Sequence, residues 1–268
     1  MKKHYFFFDI DGTLTVRETG VIVPSAEEAL KKLRAAGHFV AIATGRAHYK
    51  ARWFFNEHGF DNMVCNGGHG IVMNKKLVEN RPINQKLAQA LYQEAKAKGF
   101  GVMCATDDSI KVYAEDLTFY DQAGYRLEPT TYIIDEQFDP KAHTIYKMYV
   151  AISPEREREL KTLTEIAEKN DIGALRFEKN YLIIQPDNKK AGVLRLLELA
   201  GGAPENTVVF GDDTNDLVMF DELFYKIAMG NGCDALKARA DEVAPANIDD
   251  GIYRVCEAHG FFETVEDE

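Results

Sequence analysis

The chain has 268 residues, 46% hydrophobic and 28% charged, a balance that suits one or two folded domains rather than a disordered segment. Its formal net charge of −11 argues against nucleic acid as a partner, because that needs clustered Lys and Arg to neutralise phosphates. No stretch sustains the roughly 18 apolar residues of a membrane helix, and the apolar start at residues 5–8 is cut by Asp9 and Asp11 too early for an export signal.

In chain order, residues 5–8 form an unalternated apolar run, the pattern of a strand buried on both faces, and it ends in Asp9. Ser25-Ala26-Glu27-Glu28 reads as a capping box opening a helix with Ala29, Leu30 and Leu33 inward and Gly37 at its end. Residues 38–43 are the next strand, with Thr44 at its carboxyl end; a helix over 47–58 and a strand at 63–65 follow, running into Asn66-Gly67-Gly68. All three strands end in polar or glycine residues. In open parallel α/β sheets the ligand crevice lies outside those ends.

From Pro82 the texture changes to an amphipathic helix over 85–98 and strand-like runs at 100–105 and 110–113. A strand at 145–152, a charged helix at 154–170 and runs at 174–177 and 181–184 complete a helix-strand-strand pattern met twice. This predicts an inserted α/β domain, 82–186, between two parts of a parallel-sheet core, 1–81 and 187–268. The core resumes with a helix over 190–200 and a strand at 207–210, which ends in Asp212-Asp213-Thr214-Asn215-Asp216. A segment at 225–229 and helices near 234–240 and 251–259 close it. The cysteines, Cys65, Cys104, Cys233 and Cys256, show neither a C-x-x-C pair nor zinc spacing and read as reduced thiols of a cytoplasmic protein.

The chemistry begins at Asp9-Ile10-Asp11-Gly12-Thr13, two carboxylates two residues apart at the mouth of a buried strand. A carboxylate can attack phosphorus and form an acyl phosphate that water later hydrolyses, replacing one difficult step by two. The neighbouring acid can protonate the leaving alkoxide and then activate the water. Like charges facing an anionic substrate call for a cation, and magnesium prefers hard oxygen ligands of this kind. Asp212 and Asp216, at another strand end, can supply the remaining protein ligand and its support.

Four motifs carry a resemblance to the haloacid dehalogenase superfamily, specifically the Cof-type phosphatases with a C2-type cap. Asp9-Ile10-Asp11-Gly12-Thr13 resembles the first motif, D-x-D-G-T, and Ala43-Thr44-Gly45-Arg46 the second. The third is a lysine opening a helix; the fourth, G-D-x-x-N-D, resembles Gly211-Asp212-Asp213-Thr214-Asn215-Asp216, followed by Ala228-Met229-Gly230-Asn231-Gly232 in place of A-M-G-N-A. The chain departs from the family at the third motif, where the usual Lys-Gly pair is replaced within Asn188-Lys189-Lys190-Ala191-Gly192. Placing Val193 and Leu194 on the family's Ala-Leu pair puts Lys190 on the catalytic lysine, so that Lys190→Ala would abolish turnover and Lys189→Ala would be mild.

The resemblance spans nearly the whole chain and implies a Rossmann-like parallel-sheet core with an inserted smaller α/β cap domain that closes over the site. It implies Asp9 as nucleophile and Asp11 as general acid and base. Thr44, Gly45 and Lys190 would hold the phosphoryl group, with backbone amides at Ile10 and Asp11 and the Asn215 side chain as further donors. Asp9, the Asp11 carbonyl and Asp212 would bind Mg2+, and Asp216 would orient the metal-bound waters or the lysine. Small phosphorylated metabolites are the expected substrates, hexose and pentose phosphates ahead of pyridoxal phosphate.

Blander readings compete at single positions. A calcium loop fails on spacing, since Leu14 and Leu217 stand where its glycine is needed. His69 carries no catalytic assignment, and Tyr113, Phe119, Tyr120 and Tyr125 read as core of the inserted domain. Two other functions remain: a sugar phosphomutase, separated by isomer formation in place of phosphate release, and a receiver-like phospho-aspartate sensor, separated by a long-lived acyl phosphate. Asp11 beside the nucleophile favours turnover over the sensor.

Overall fold

Four successive aromatic residues form β1 (Tyr5–Phe8), and all are buried. In this computed structural model, which describes residues 2–170 and 172–265, α1 (Pro24–Ala35) follows and turns Ala26, Ala29, Leu30 and Leu33 inward. Its N-cap is Val23, with no side-chain cap, so the capping box expected at Ser25 does not form. Pro24 is the reason: a fixed φ and a missing N–H suit the first helical position and start the helix ahead of the serine.

β2 (Phe39–Ala43), α2 (His48–Glu57) and β3 (Asn62–Cys65) continue the pattern. The chain then doubles back through β4 (Gly70–Met73) and β5 (Lys76–Asn80), joined by Asn74 and Lys75 with φ of 49° and 64°. Two left-handed residues in a two-residue loop match the twist of a hairpin. There follow α3 (Gln85–Ala97), β6 (Val102–Ala105), β7 (Lys111–Ala114), α4 (Thr118–Ala123), β8 (Thr131–Ile134), β9 (Lys147–Ala151), α5 (Lys161–Glu168), β10 (Ile172–Glu178) and β11 (Tyr181–Pro186). The charged helix expected from residue 154 opens as a 3-10 stretch, Pro154–Leu160, before α5. The last elements are α6 (Lys189–Ala200), β12 (Thr207–Gly211), β13 (Tyr225–Ala228), α7 (Asp234–Lys237), β14 (Glu242–Val243) and α8 (Gly251–Ala258).

Two compact units result: Met1–Arg46 with Lys50–Glu79 and Asn188–Glu268, and Ala47–Tyr49 with Asn80–Asp187. The first holds an eight-stranded sheet in the order β14-β13-β12-β1-β2-β3-β4-β5, parallel from β14 to β3, with β4 antiparallel to β3. Alternate side chains of β1 enter opposite layers. Phe6 and Phe8 pack with Leu30, Leu33 and Val255, whereas Tyr5 and Phe7 pack with Val193, Leu196 and Leu197. Burial on both faces explains the unbroken apolar run.

The second unit holds a six-stranded sheet, β10-β11-β9-β6-β7-β8, antiparallel except for the β7–β8 pair. Leu91 of α3 and Leu163 of α5 pack on one core, and Phe119 of α4 on another with Tyr149 and Tyr181. Tyr125 is not core: it is 77% exposed. Among the described residues no helix is long and apolar enough to cross a membrane.

Two packing details generate predictions. A Cβ on Gly192 would lie 2.4 Å from Val64 Cγ1 and 2.8 Å from Gly68 Cα, so only glycine lets α6 approach β3 this closely. Gly192→Ala is expected to lose about 1–3 kcal/mol in denaturant unfolding, the cost of overpacking against backbone. His38 is buried, with Nδ1 accepting from the His4 amide at 3.1 Å and Nε2 bonded to the Phe261 carbonyl at 3.0 Å. Burial, then the nearby His4, pull its pKa from 6.5 down to about 4. A depressed histidine stabilises the fold fully above pH 6.5 and loses that contribution as pH falls through 4. NMR titration should find His38 neutral at pH 5, and His38→Phe should remove about one proton from the acid-unfolding slope.

Candidate active site

At the carboxyl end of β1 the Asp9 amide still donates to Phe210 O, at 3.1 Å, and the chain then leaves the sheet. Ile10 O closes the following turn, accepting from the amides of Leu14 and Thr15 and from Thr15 Oγ1 at 2.9 to 3.0 Å. Gly12 sits at φ 92°, and a Cβ there would lie 2.2 Å from Asp212 Oδ2. The glycine of the first motif thus admits the first acid of the fourth. Thr13 Oγ1 donates to Asp212 Oδ1 at 3.0 Å and fixes that carboxylate.

The third motif sits on α6. Asn188 caps the helix, its Oδ1 accepting from Ala191 N at 3.0 Å, while its own amide donates to Gly67 O at 2.8 Å. Lys189, fully buried, donates from Nζ to Asp9 Oδ1 at 2.6 Å and to Asp216 Oδ1 at 2.7 Å. Lys190 points elsewhere: it pairs with Asp221 at 2.6 Å, and both side chains are about a third exposed. The expectation for Lys190 is therefore corrected to Lys189. The buried stripe of α6 is Lys189, Gly192, Val193, Leu196 and Leu197, and from Gly192, Val193 and Leu196 steps of three, four and seven all lead back to 189. That stripe was available in the sequence; matching the family's Ala-Leu pair shifted it by one residue.

Asp216 uses both oxygens, one for Lys189 and the other for the amides of Asp212 and Asp213 at 3.0 and 3.2 Å. Oxygens of Asp9, Asp212 and Asp216 lie within 4.8 Å of one another. Burial, then repulsion from Asp216, push Asp9 from 3.8 up to about 7 against the pull of Lys189. Burial opposes the Lys189 charge as well, but Asp216 and Asp9 outweigh it and raise its pKa. Asp212 is likewise raised by burial, with Arg17 pulling the other way. Three clustered carboxylates with one ammonium make an oxygen-only, charge-rich set that fits a hard divalent cation. Such an ion would be held by Asp9 and Asp212, the latter bonded here to Thr13 and Arg17.

Around this centre, Asp11 is gripped by the fork of Arg46, Nε to Oδ2 at 2.9 Å and Nη2 to Oδ1. Thr44 is buried at the end of β2, and its Oγ1 accepts from Arg46 N at 3.1 Å. Ile10 is buried beside Asp9, whereas Gly45 and Asn215 are half-buried at the turns after β2 and β12. Sequence reasoning gave Arg46 no role and missed Arg17. Arg17 Nη2 reaches Asp212 Oδ2 at 2.6 Å and Asp11 O at 3.3 Å, and Nη1 reaches Asp213 at 2.9 Å. No motif marks Arg17, because it lies in a surface turn outside the four strand ends.

A sequence profile of haloacid dehalogenase-like hydrolases matches residues 6–256. The chain belongs to this family. This haloacid dehalogenase-like hydrolase is a phosphatase. It is 26% identical over 277 residues to the pyridoxal phosphate phosphatase YbhA of Escherichia coli, covering 94% of this chain and 96% of that one. A Streptococcus pyogenes protein is 28% identical over 261 residues; the match covers 96% of this chain, which spans about half of that protein, 54%. The fold is also that of the phosphatase BT1666 from Bacteroides thetaiotaomicron, with a TM-score of 0.79 at 21% identity over 97% of this chain and 96% of the other.

The lysine correction is directly testable. Lys189→Ala leaves two buried carboxylates without their partner and should cost about 3–5 kcal/mol in denaturant unfolding. Under conditions where the variant is folded, phosphate release should fall about a hundredfold or more. Lys190→Ala breaks a part-exposed pair worth less than about 1 kcal/mol and should leave steady-state rates near those of the wild type.

Proposed function

We propose that this phosphatase is magnesium-dependent and works through an aspartyl phosphate on Asp9. The observation that carries the reading is the buried Lys189 bridge between Asp9 and Asp216, with Asp212 alongside. Lys189 holds Asp9 in place and supplies fixed positive charge where the phosphoryl oxygens arrive. Phosphoryl transfer depends chiefly on such positioning and charge compensation.

In the first half-reaction an Asp9 oxygen attacks phosphorus and the bond to the leaving oxygen breaks, with Asp11 giving that oxygen its proton. In the second, water attacks the phosphorus of the aspartyl phosphate, Asp11 takes the water proton, and the bond to Asp9 breaks to release inorganic phosphate. Both Asp11 oxygens lie in the Arg46 fork, so one arm must open for Asp11 to reach the leaving oxygen. Thr44, Gly45, Asn215 and the amides of Ile10 and Asp11 are the proposed partners of the remaining phosphate oxygens. Asp9, the Asp11 carbonyl and Asp212 would hold Mg2+, whose charge would favour the ionised carboxylate and screen the phosphoryl group. Asp216 acts through Lys189 and the Asp212 amide.

Hexose and pentose phosphates are proposed first as substrates and pyridoxal phosphate, the substrate in the name of the E. coli relative, next. The proposed division of the chain is a core of 1–81 and 187–268 and a substrate-selecting cap of 82–186, working in the cytoplasm. Asp9→Asn should end phosphate release from every substrate in a metabolite screen. Chelation should do the same, with recovery on adding Mg2+. Turnover by Asp9→Asn, or undiminished turnover in excess chelator, would overturn the assignment.

A further inference from the structure

We propose that Arg17 is a displaceable internal cation that competes with the divalent metal for Asp212. The proposal rests on the metal reading above. Its basis is the identity of the atoms that Arg17 touches: Asp212 Oδ2 at 2.6 Å and Asp11 O at 3.3 Å. These groups are two of the three assigned to the metal. One carboxylate oxygen cannot keep a guanidinium at that distance and also take a dication at about 2.1 Å without bringing two positive charges together.

The chain around Arg17 is built for this exchange. Its backbone is pinned in a tight turn, with Val16 N donating to Val21 O at 2.9 Å and Gly20 N to Val16 O at 2.8 Å, beside the Thr15–Ile22 bridge. The side chain is 50% exposed and so has room to swing. Gly12 leaves the space that the fork enters, since a Cβ there would lie 3.1 Å from Arg17 Nη2. Asp213 gives the departing group somewhere to stay: it is 39% exposed and already holds Nη1 at 2.9 Å. Leaving Asp212 therefore breaks one arm of the fork and keeps the other. The displaced guanidinium stays at the rim of the site, where it can meet an anionic substrate.

Calorimetric titration of MgCl2 into the full chain tests this in wild type, Arg17→Gln and Arg17→Lys. Arg17→Gln should bind Mg2+ about tenfold more tightly, the effect of removing one competing charge-assisted pair. Arg17→Lys, a point charge without the fork, should fall between. Thermal melting gives a second readout: in chelator Arg17→Gln should melt below the wild type, and Mg2+ should raise it more. Equal or weaker Mg2+ binding by Arg17→Gln, with wild-type binding intact, overturns the Arg17 proposal alone. Absence of Mg2+ binding in all three overturns the metal reading and this proposal with it.

Discussion

A lysine with no exposed surface, held between two buried aspartates, is the constraint around which the candidate site is arranged. Such a charge is stable inside a protein only if its partners are placed within hydrogen-bond distance, because removing it from water costs several kcal/mol. Asp9 comes from the end of β1, Asp216 from the turn after β12, and Lys189 from the first residue of α6. Three elements far apart in sequence must therefore meet at one point. The Asn188 bond to Gly67 and the close approach at Gly192 hold the start of α6 there.

The sheet order supplies the rest. β12, β1, β2 and β3 lie side by side and parallel, so the residues after each strand, Asp212, Asp9, Thr44 and Asn66, emerge at one edge. Pairing alone would set these loops as neighbours without making a site. Small contacts do that: Gly12 makes room for the Asp212 carboxylate, Thr13 fixes it, and Asp216 ties down the Asp212 and Asp213 amides. The acids are thereby held close despite their mutual repulsion; burial, then that repulsion, raises Asp9, and the clustered oxygens fit a divalent cation.

Arg46 and Arg17 add a second layer of charge. Arg46 occupies both oxygens of Asp11, and Arg17 spans Asp212, Asp213 and the Asp11 carbonyl. Each is partly exposed, unlike Lys189, so breaking either pair costs less than breaking the buried one. The buried lysine at the centre is thus ringed by two partly exposed guanidinium groups, each paired with an acid of the first or fourth motif.

Local chemistry by itself determined much of this protein. The aromatic run of β1, the acids at strand ends and the glycine between them were readable because strand burial and turn geometry act over a few residues. Where neighbouring residues competed, local reading failed: Pro24 outranked Ser25 as helix starter, and Asn74-Lys75 made a hairpin turn without the glycine that usually signals one. Only the tertiary structure decided between Lys189 and Lys190. Both are lysines at the start of one helix, and what separates them is the direction each side chain takes once Gly192 seats α6 against β3. The same holds for Arg17, whose meaning arises from a contact across 195 residues of sequence to Asp212, where no local pattern can reach.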